Sequence, residues 1–245
     1  MPSSSFSSDQ RLPLYQQLRD EMLAKIAAGE WRPGEPIPTE QELTKSYGVA
    51  IGTIRKAVDT LVADGLLQRS QGRGTFVRRP DFTSSLLRFF RQVNSQGEKQ
   101  IPDSQILARQ LLTPTEQVRK ALQLEAEESV VYLQRTRTLD SRAVFSEDIW
   151  LPASRFGKLL ELDLAAFGNL LYPFYEQECG QMIASAQETL SVEPANSSAA
   201  ALLGIAGNAP VVVIERIALS YDRSPLEYRI SRGAADTFHY QVEIS

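Results

Sequence analysis

The 245-residue sequence contains a single cysteine and a single histidine. The lone cysteine, Cys179, cannot close an internal disulfide, which fits a reducing cytoplasm and leaves its thiol as a small semi-buried side chain. His239 has no cysteine or acidic cluster around it at metal-ligand spacing, so no metal site is assigned and the residue reads as structural. No apolar run approaches the roughly 20 residues that a membrane-spanning helix needs. The opening Met1-Pro2-Ser3-Ser4-Ser5-Phe6-Ser7-Ser8 lacks a basic segment followed by an apolar core. It therefore reads as a disordered tail over 1–11, not as a signal peptide. Nothing resembles a nucleophile elbow or a phosphate-binding loop, which leaves no catalytic residue and no cofactor to name.

Basic charge is also scarce, and its placement is informative. The net charge is −4, yet residues 1–80 carry eleven Lys/Arg against nine Asp/Glu, while the remainder carries fifteen against twenty-one. Leu43 to Val58 holds Lys45, Arg55 and Lys56 without an acid, and Gly65 to Pro80 holds Arg69, Arg73, Arg78 and Arg79 without one. Two acid-free basic stretches in a net-acidic chain read either as a local polyanion site or as ordinary solvated faces. What they sit on distinguishes the two.

Pro13 opens a segment with Leu14, Leu18, Met22 and Ile26 at helical spacing, stopped by Gly29. The proline-rich Trp31 to Pro38 forbids a helix and makes an extended linker. Thr39-Glu40-Gln41-Glu42 has the form of a capping box and starts a second helix ending near Tyr47-Gly48. A third follows at once, with Ile54, Val58, Leu61 and Val62 inward, closed by Gly65. Two short helices joined by a glycine turn are the helix-turn-helix pattern. Leu66–Arg69 and Thr75–Arg78 then read as strands flanking the tight turn Gln71-Gly72-Arg73-Gly74. Three helices and a basic hairpin make a winged helix over 12–79, whose third helix enters the major groove while its wing sets Arg73 against phosphates or the minor groove.

The run from Leu12 to Val77 resembles the DNA-binding domain of the GntR family of bacterial repressors. The matching pieces include Pro13-Leu14-Tyr15, Ile37-Pro38-Thr39-Glu40, Thr53-Ile54-Arg55 and Gln71-Gly72-Arg73-Gly74-Thr75-Phe76-Val77. The resemblance implies contacts to double-stranded DNA from Gln41, Ile51, Gly52, Thr53, Arg55, Lys56, Gln71, Gly72 and Arg73. Two departures stand out. Where the family commonly places DNA-contacting arginines, this chain has Gln41 and Ile51, so the charge and the guanine-reading fork of those arginines are missing. Ile51 either reads a thymine methyl or packs against the protein.

From residue 81 onward the pattern is mixed. Ser129–Leu139 and Ala143–Leu151 form an expected hairpin, Met182–Val192, Val211–Tyr221, Pro225–Arg232 and Phe238–Ile244 are further strands, and Thr115–Leu122, Phe167–Glu178 and Ala195–Leu203 are helices. Ser129-Val130-Val131-Tyr132-Leu133-Gln134-Arg135 is echoed 81 positions later by Pro210-Val211-Val212-Val213-Ile214-Glu215-Arg216, each after a short Ala/Leu-rich helix. The echo suggests a duplicated helix–hairpin unit with Glu147 and Glu227 on the second strands. A cleft between duplicated units suits a ligand.

This arrangement resembles the UTRA ligand-sensing domain of the HutC-type branch of the GntR family, a fold similar to chorismate lyase. The expected class is therefore α+β: a winged helix-turn-helix, then a linker and antiparallel sensor domain over 80–245. The resemblance implies an effector site at Arg88, Phe89, Arg135, Arg137, Glu147, Tyr172 and Glu227, with Arg135 and Arg137 as the anion-holding pair and the glutamates as polar anchors. Alternate positions on a strand put both arginines on one face. Arg88 stands where a serine is common, and Asn169 stands where another is; the third positive charge in place of a hydroxyl points to a more acidic effector, such as a carboxylate. The expected protein is a cytoplasmic homodimeric repressor that binds an inverted-repeat operator and responds to a small anionic metabolite. An enzyme using the lyase-like fold is the rival reading.

Overall fold

In the computed structural model of the chain, residues 11–79 and 102–238 are described. The tail to residue 10, the Arg88 and Phe89 positions, His239 and the rest of the strand expected to reach Ile244 lie outside them. The chain divides into two compact units, Met1–Pro80 with Tyr221–Arg223, and Asp81–Ser220 with Ser224–Ser245.

In the first unit, α1 (Leu14–Ala27) buries Leu18, Met22 and Ile26 of the expected stripe, while Leu14, at the first position of the helix, stays exposed. Thr39 caps α2 (Glu40–Tyr47): its hydroxyl accepts from the Glu42 N–H at 3.3 Å, and Glu42 Oε2 accepts from the Thr39 N–H at 2.8 Å. Gly48 turns the chain at φ 66°, a left-handed conformation that a Cβ would strain. After it α3 (Ile51–Ala63) buries Ile54, Ala57, Val58 and Leu61 against α1 and α2. Each fully buried aliphatic side chain of this kind contributes about 1.5–3 kcal/mol. The wing is the antiparallel pair β1 (Leu67–Ser70) and β2 (Gly74–Val77). The proline-rich linker, expected only to be extended, also pairs with β2: Ile37 N–H donates to Thr75 O at 2.9 Å and Val77 N–H to Glu35 O at 3.0 Å.

The second unit is a six-stranded antiparallel sheet in the order β3-β4-β5-β8-β7-β6. Its strands are β3 (Asp103–Leu112), β4 (Val130–Leu139), β5 (Arg142–Pro152), β6 (Ser185–Pro194), β7 (Pro210–Leu219) and β8 (Pro225–Ala234). Between them lie α4 (Glu116–Leu122), α5 (Ala153–Phe156), α6 (Leu171–Cys179) and α7 (Ser197–Leu203). The echoed sequences form equivalent units, β3-α4-β4-β5 and β6-α7-β7-β8, joined where β5 pairs with β8. The unit is thus strand–helix–hairpin, and β3 is the piece that periodicity did not reveal. Rich in Leu, Gln, Ala and Arg, β3 lies at the sheet edge and lacks regular alternation.

Successive residues point to opposite faces. Val131, Leu133, Ile149 and Leu151 pack with Phe156, Leu171 and Tyr175 on one side, while Val130 joins Val118, Leu122 and Tyr228 on the other. The helix expected from Phe167 begins only at Leu171. Asn169 is committed elsewhere: its Oδ1 accepts from Ser104 N–H at 2.9 Å, and its backbone oxygen accepts from Arg137. The strand expected from Met182 likewise starts at Ser185, after Ile183 has packed into the core.

Candidate nucleic-acid interface and ligand site

On the first unit, Ile51 and Arg55 lie one turn apart at the start of α3, as do Gly52 and Lys56. Ile51 is 42% exposed at the first position of the helix. Arg55 is exposed but held: Nε and Nη2 donate to Glu40 Oε2 at 3.1 and 2.9 Å, which raises its affinity for its proton. Glu40 also meets Arg69 at 3.5 Å, and Arg69 pairs with Asp59 at 2.7 Å. The acid-free stretches are therefore not acid-free in space. Lys56 Nζ sits 4.0 Å above the Tyr15 ring, a cation–π contact that turns it toward α1. Gln41, Gln71, Gly72 and Arg73 are exposed, Thr53 is half-buried, and Arg73 leans over Phe76 with 5.7 Å between guanidinium carbon and ring centre. Glu40 and Arg69 were not foreseen as parts of this surface. A carboxylate opening the helix that precedes the recognition helix was the available signal.

In the second unit the sheet face under α6 holds a buried ionic cluster. Arg135 Nε donates to Glu147 Oε2 at 2.5 Å, and Ser231 Oγ donates to Glu147 Oε1 at 3.1 Å. Arg229 Nη2 donates to Glu227 Oε2 at 2.6 Å, while its Nη1 lies 3.7 Å from Glu147 Oε1. Tyr172 and Tyr175, three residues apart on α6, donate to the two oxygens of Glu227 at 3.0 and 2.9 Å. Arg216 donates to the Tyr172 hydroxyl at 3.2 Å and to Glu188. Arg137 donates to the backbone oxygens of Asn169 and Pro102 at 3.1 and 3.2 Å.

The structure thus brings Arg135, Arg137, Glu147, Tyr172 and Glu227 onto one buried face. It adds Arg216, Arg229, Tyr175, Glu188 and Ser231. Arg216 was legible, because it is the echo of Arg135, and Arg229 follows Glu227 by two positions on the same strand.

Burial raises the proton affinity of Glu147, but Arg135, Arg229 and Arg137 overcome that and hold its pKa down at about 2. Burial acts the other way on Arg137, pulling it down to about 10 despite Glu147, with Arg135, Arg229 and Arg216 adding repulsion. On this face the guanidinium groups of Arg135, Arg137, Arg216 and Arg229 gather around the carboxylates of Glu147, Glu188 and Glu227. Arg135 Nη1 and Arg229 Nε are buried and meet no acceptor there. Such a face accepts acceptor-only, negatively charged groups.

Among the described residues there is no cluster of three metal-ligating side chains, and no helix is long and apolar enough to cross a membrane. Residues 14–77 match the gntR family of bacterial regulatory proteins, and residues 96–239 match the UTRA domain. The HTH-type transcriptional repressor NagR of Bacillus subtilis is 30% identical over 240 residues, covering 96% of this chain and 97% of its own. The HTH-type transcriptional regulator GgaR of Escherichia coli is 29% identical over 234 residues, covering 94% of this chain and 91% of its own. The crystal structure of PhnF from Mycobacterium smegmatis superposes with a TM-score of 0.55 at 26% identity, over 95% of this chain and 99% of that one. With a winged helix-turn-helix in its first unit and a buried ionic cluster on the sheet of its second, the chain belongs to the gntR family of bacterial regulatory proteins, as a UTRA-type, effector-modulated DNA-binding transcriptional regulator.

Proposed function

We propose that the protein is a cytoplasmic repressor, without catalytic activity or cofactor, that binds an inverted-repeat operator as a homodimer and answers to a small anionic metabolite. The name repressor carried by NagR supports the sign of the regulation. The observation that carries the ligand reading is a pair of buried donors beneath α6, Arg135 Nη1 and Arg229 Nε, which meet no acceptor among the described residues where Arg135, Arg137, Glu147, Tyr172 and Glu227 come together. A buried donor without an acceptor is costly, and a bound anion offsets that cost. The ligand shifts operator affinity only by its differential affinity for the DNA-competent and incompetent arrangements.

Two identical modules on two half-sites match protein symmetry to operator symmetry. The dimer contact is assigned to the second unit, where Leu190 and Val192 of β6 stand 42% and 67% exposed. Light scattering of full-length Leu190→Lys/Val192→Lys should report a monomer; an unchanged dimer moves the contact elsewhere.

The central test is Arg137→Ala. Titration of a fluorescent DNA fragment from upstream of the gene, with and without a panel of phosphorylated and carboxylated metabolites, should show wild-type release by at least one compound. The variant should bind ligand-free DNA like wild type and lose that response. A retained response removes Arg137 from the site.

A further inference from the structure

Arg69 stands outside the set of DNA contacts that the family resemblance implies, yet it shares an acceptor with a residue inside that set. Arg55 and Asp59 lie one turn apart on α3, Glu40 opens α2, and Arg69 sits on β1. Arg55 donates to Glu40 Oε2 at 3.1 and 2.9 Å, and Arg69 Nη2 lies 3.5 Å from the other oxygen, Oε1. Arg69 Nη1 lies 2.7 Å from Asp59 Oδ1. We propose that Arg55 and Arg69 form a two-guanidinium seat for a DNA backbone phosphate, which the Glu40 carboxylate fills when DNA is absent.

The first support is shape. The two arginines come from different elements and take opposite oxygens of one carboxylate. A phosphodiester offers a similar target, two charged acceptor oxygens on one centre, and guanidinium forks bind either group. Arg69 also pairs with Thr75 across the hairpin, so the seat ties the wing to the recognition helix. A phosphate held there sets the register of both on the duplex and reads no base.

The second is access. The side chains of Arg55 and Arg69 are 57% and 46% exposed, against 28% for Glu40. The cations are thus more open to an approaching duplex than the carboxylate that holds them. A guanidinium carries five N–H donors, so the contacts to Glu40 and Asp59 engage only part of the Arg69 fork.

The third is strength. Exposed ion pairs are weak, and the hold of Glu40 on Arg69 is a single contact at the long limit of a hydrogen bond. A DNA phosphate adds the release of condensed counterions, about 0.9 unit of salt slope per contact, or roughly 3.5-fold in affinity for a fourfold change in salt. Exchange of Glu40 for phosphate is therefore favoured at low salt. The competing role for Arg69 is a brace, holding β1 to α3 through Asp59.

The test uses the full-length protein and fluorescein-labelled duplexes of mixed sequence, with anisotropy titrations across a salt series. Arg69→Gln should weaken binding about threefold to tenfold at low salt, equally across duplexes, and lower the slope of log K against log salt by about one unit. Arg69→Lys keeps the charge and should keep the slope. Asp59→Asn removes the same ion pair but leaves the cation, so it should bind at least as tightly as wild type without a lower slope. Glu40→Gln, which empties the seat, should bind more tightly than wild type; weaker binding would mean that Glu40 steadies the arginines and does not compete with DNA. An unchanged slope in Arg69→Gln, or an equal loss of slope in Asp59→Asn, would make Arg69 a brace and overturn the seat. A slope still lowered by Arg55→Ala would then leave the recognition helix at the DNA surface, whereas a slope that neither arginine moves would displace that surface as well. Should Arg69→Gln fail to fold, phenylglyoxal modification of the wild type, read by mass spectrometry, decides the matter. Duplex DNA should slow modification of Arg69 severalfold and leave that of Arg142, exposed in the second unit, unchanged. Equal rates at Arg69 with and without DNA would overturn the proposal.

Discussion

Glu40 on α2 grips Arg55 on α3 through two hydrogen bonds, 3.1 Å to Nε and 2.9 Å to Nη2, so the basic residue expected at the DNA surface is already ion-paired. An exposed pair of this kind is weak, and a DNA phosphate can compete for the guanidinium. Arg55→Ala should weaken operator binding and lower the slope of log K against log salt by about one unit. Glu40→Gln should strengthen binding to non-specific duplex at low salt by up to roughly fivefold, the worth of one unit-charge contact in water. Anisotropy titrations across a salt series check both. An unchanged slope in Arg55→Ala would remove it from the interface.

Ile51 opens the recognition helix exposed and uncharged. Ile51→Ala should alter base preference in a randomised-site selection while leaving the salt slope within error of wild type. Ile51→Arg should steepen the slope by about one unit. If Ile51→Ala selects the same sites as wild type, Ile51 does not read a base.

Gly233 on β8 permits a close approach that no other residue allows. A Cβ there would lie 2.9 Å from Phe145 Cε1 and 3.0 Å from Val144 O on β5. Gly233→Ala should cost about 1–3 kcal/mol as an overpacked site, read as a lowered unfolding midpoint in denaturant. Unaltered stability would mean that β5 yields freely at this point.

The ionic cluster makes stability depend on acid. The pKa of Glu147 is held at about 2, below its ordinary 4.5. Its contribution is therefore complete above about pH 4.5 and is lost as pH falls toward about 2. Glu147→Gln leaves Arg135 and Arg229 undercompensated, and should cost about 3–5 kcal/mol at neutral pH. The same substitution should flatten the acid limb of the stability curve. An acid limb identical to wild type would place the titrating group elsewhere.

Local chemistry was enough to give the first unit its form. The helix stripe of Leu18, Met22 and Ile26, the Thr39–Glu42 capping box and the glycine at 48 each act within a few residues, so their consequences can be read along the chain. The hairpins of the second unit and its duplication were legible for the same reason, since period-two alternation and the echo from Arg135 to Arg216 are sequence properties. Strand β3 was not, because an edge strand gains its place from pairing with β4 and shows little alternation of its own. Tertiary structure alone decided which charges meet. Glu40 reaches Arg55 from 15 positions away, Glu147 reaches Ser231 from 84, and Arg229 lies between two carboxylates brought together by β5–β8 pairing. Whether an arginine is a solvated cation, a counter-ion or a ligand donor depends on burial and on the nearest carboxylate, which are set by the distances across the sheet and between helices.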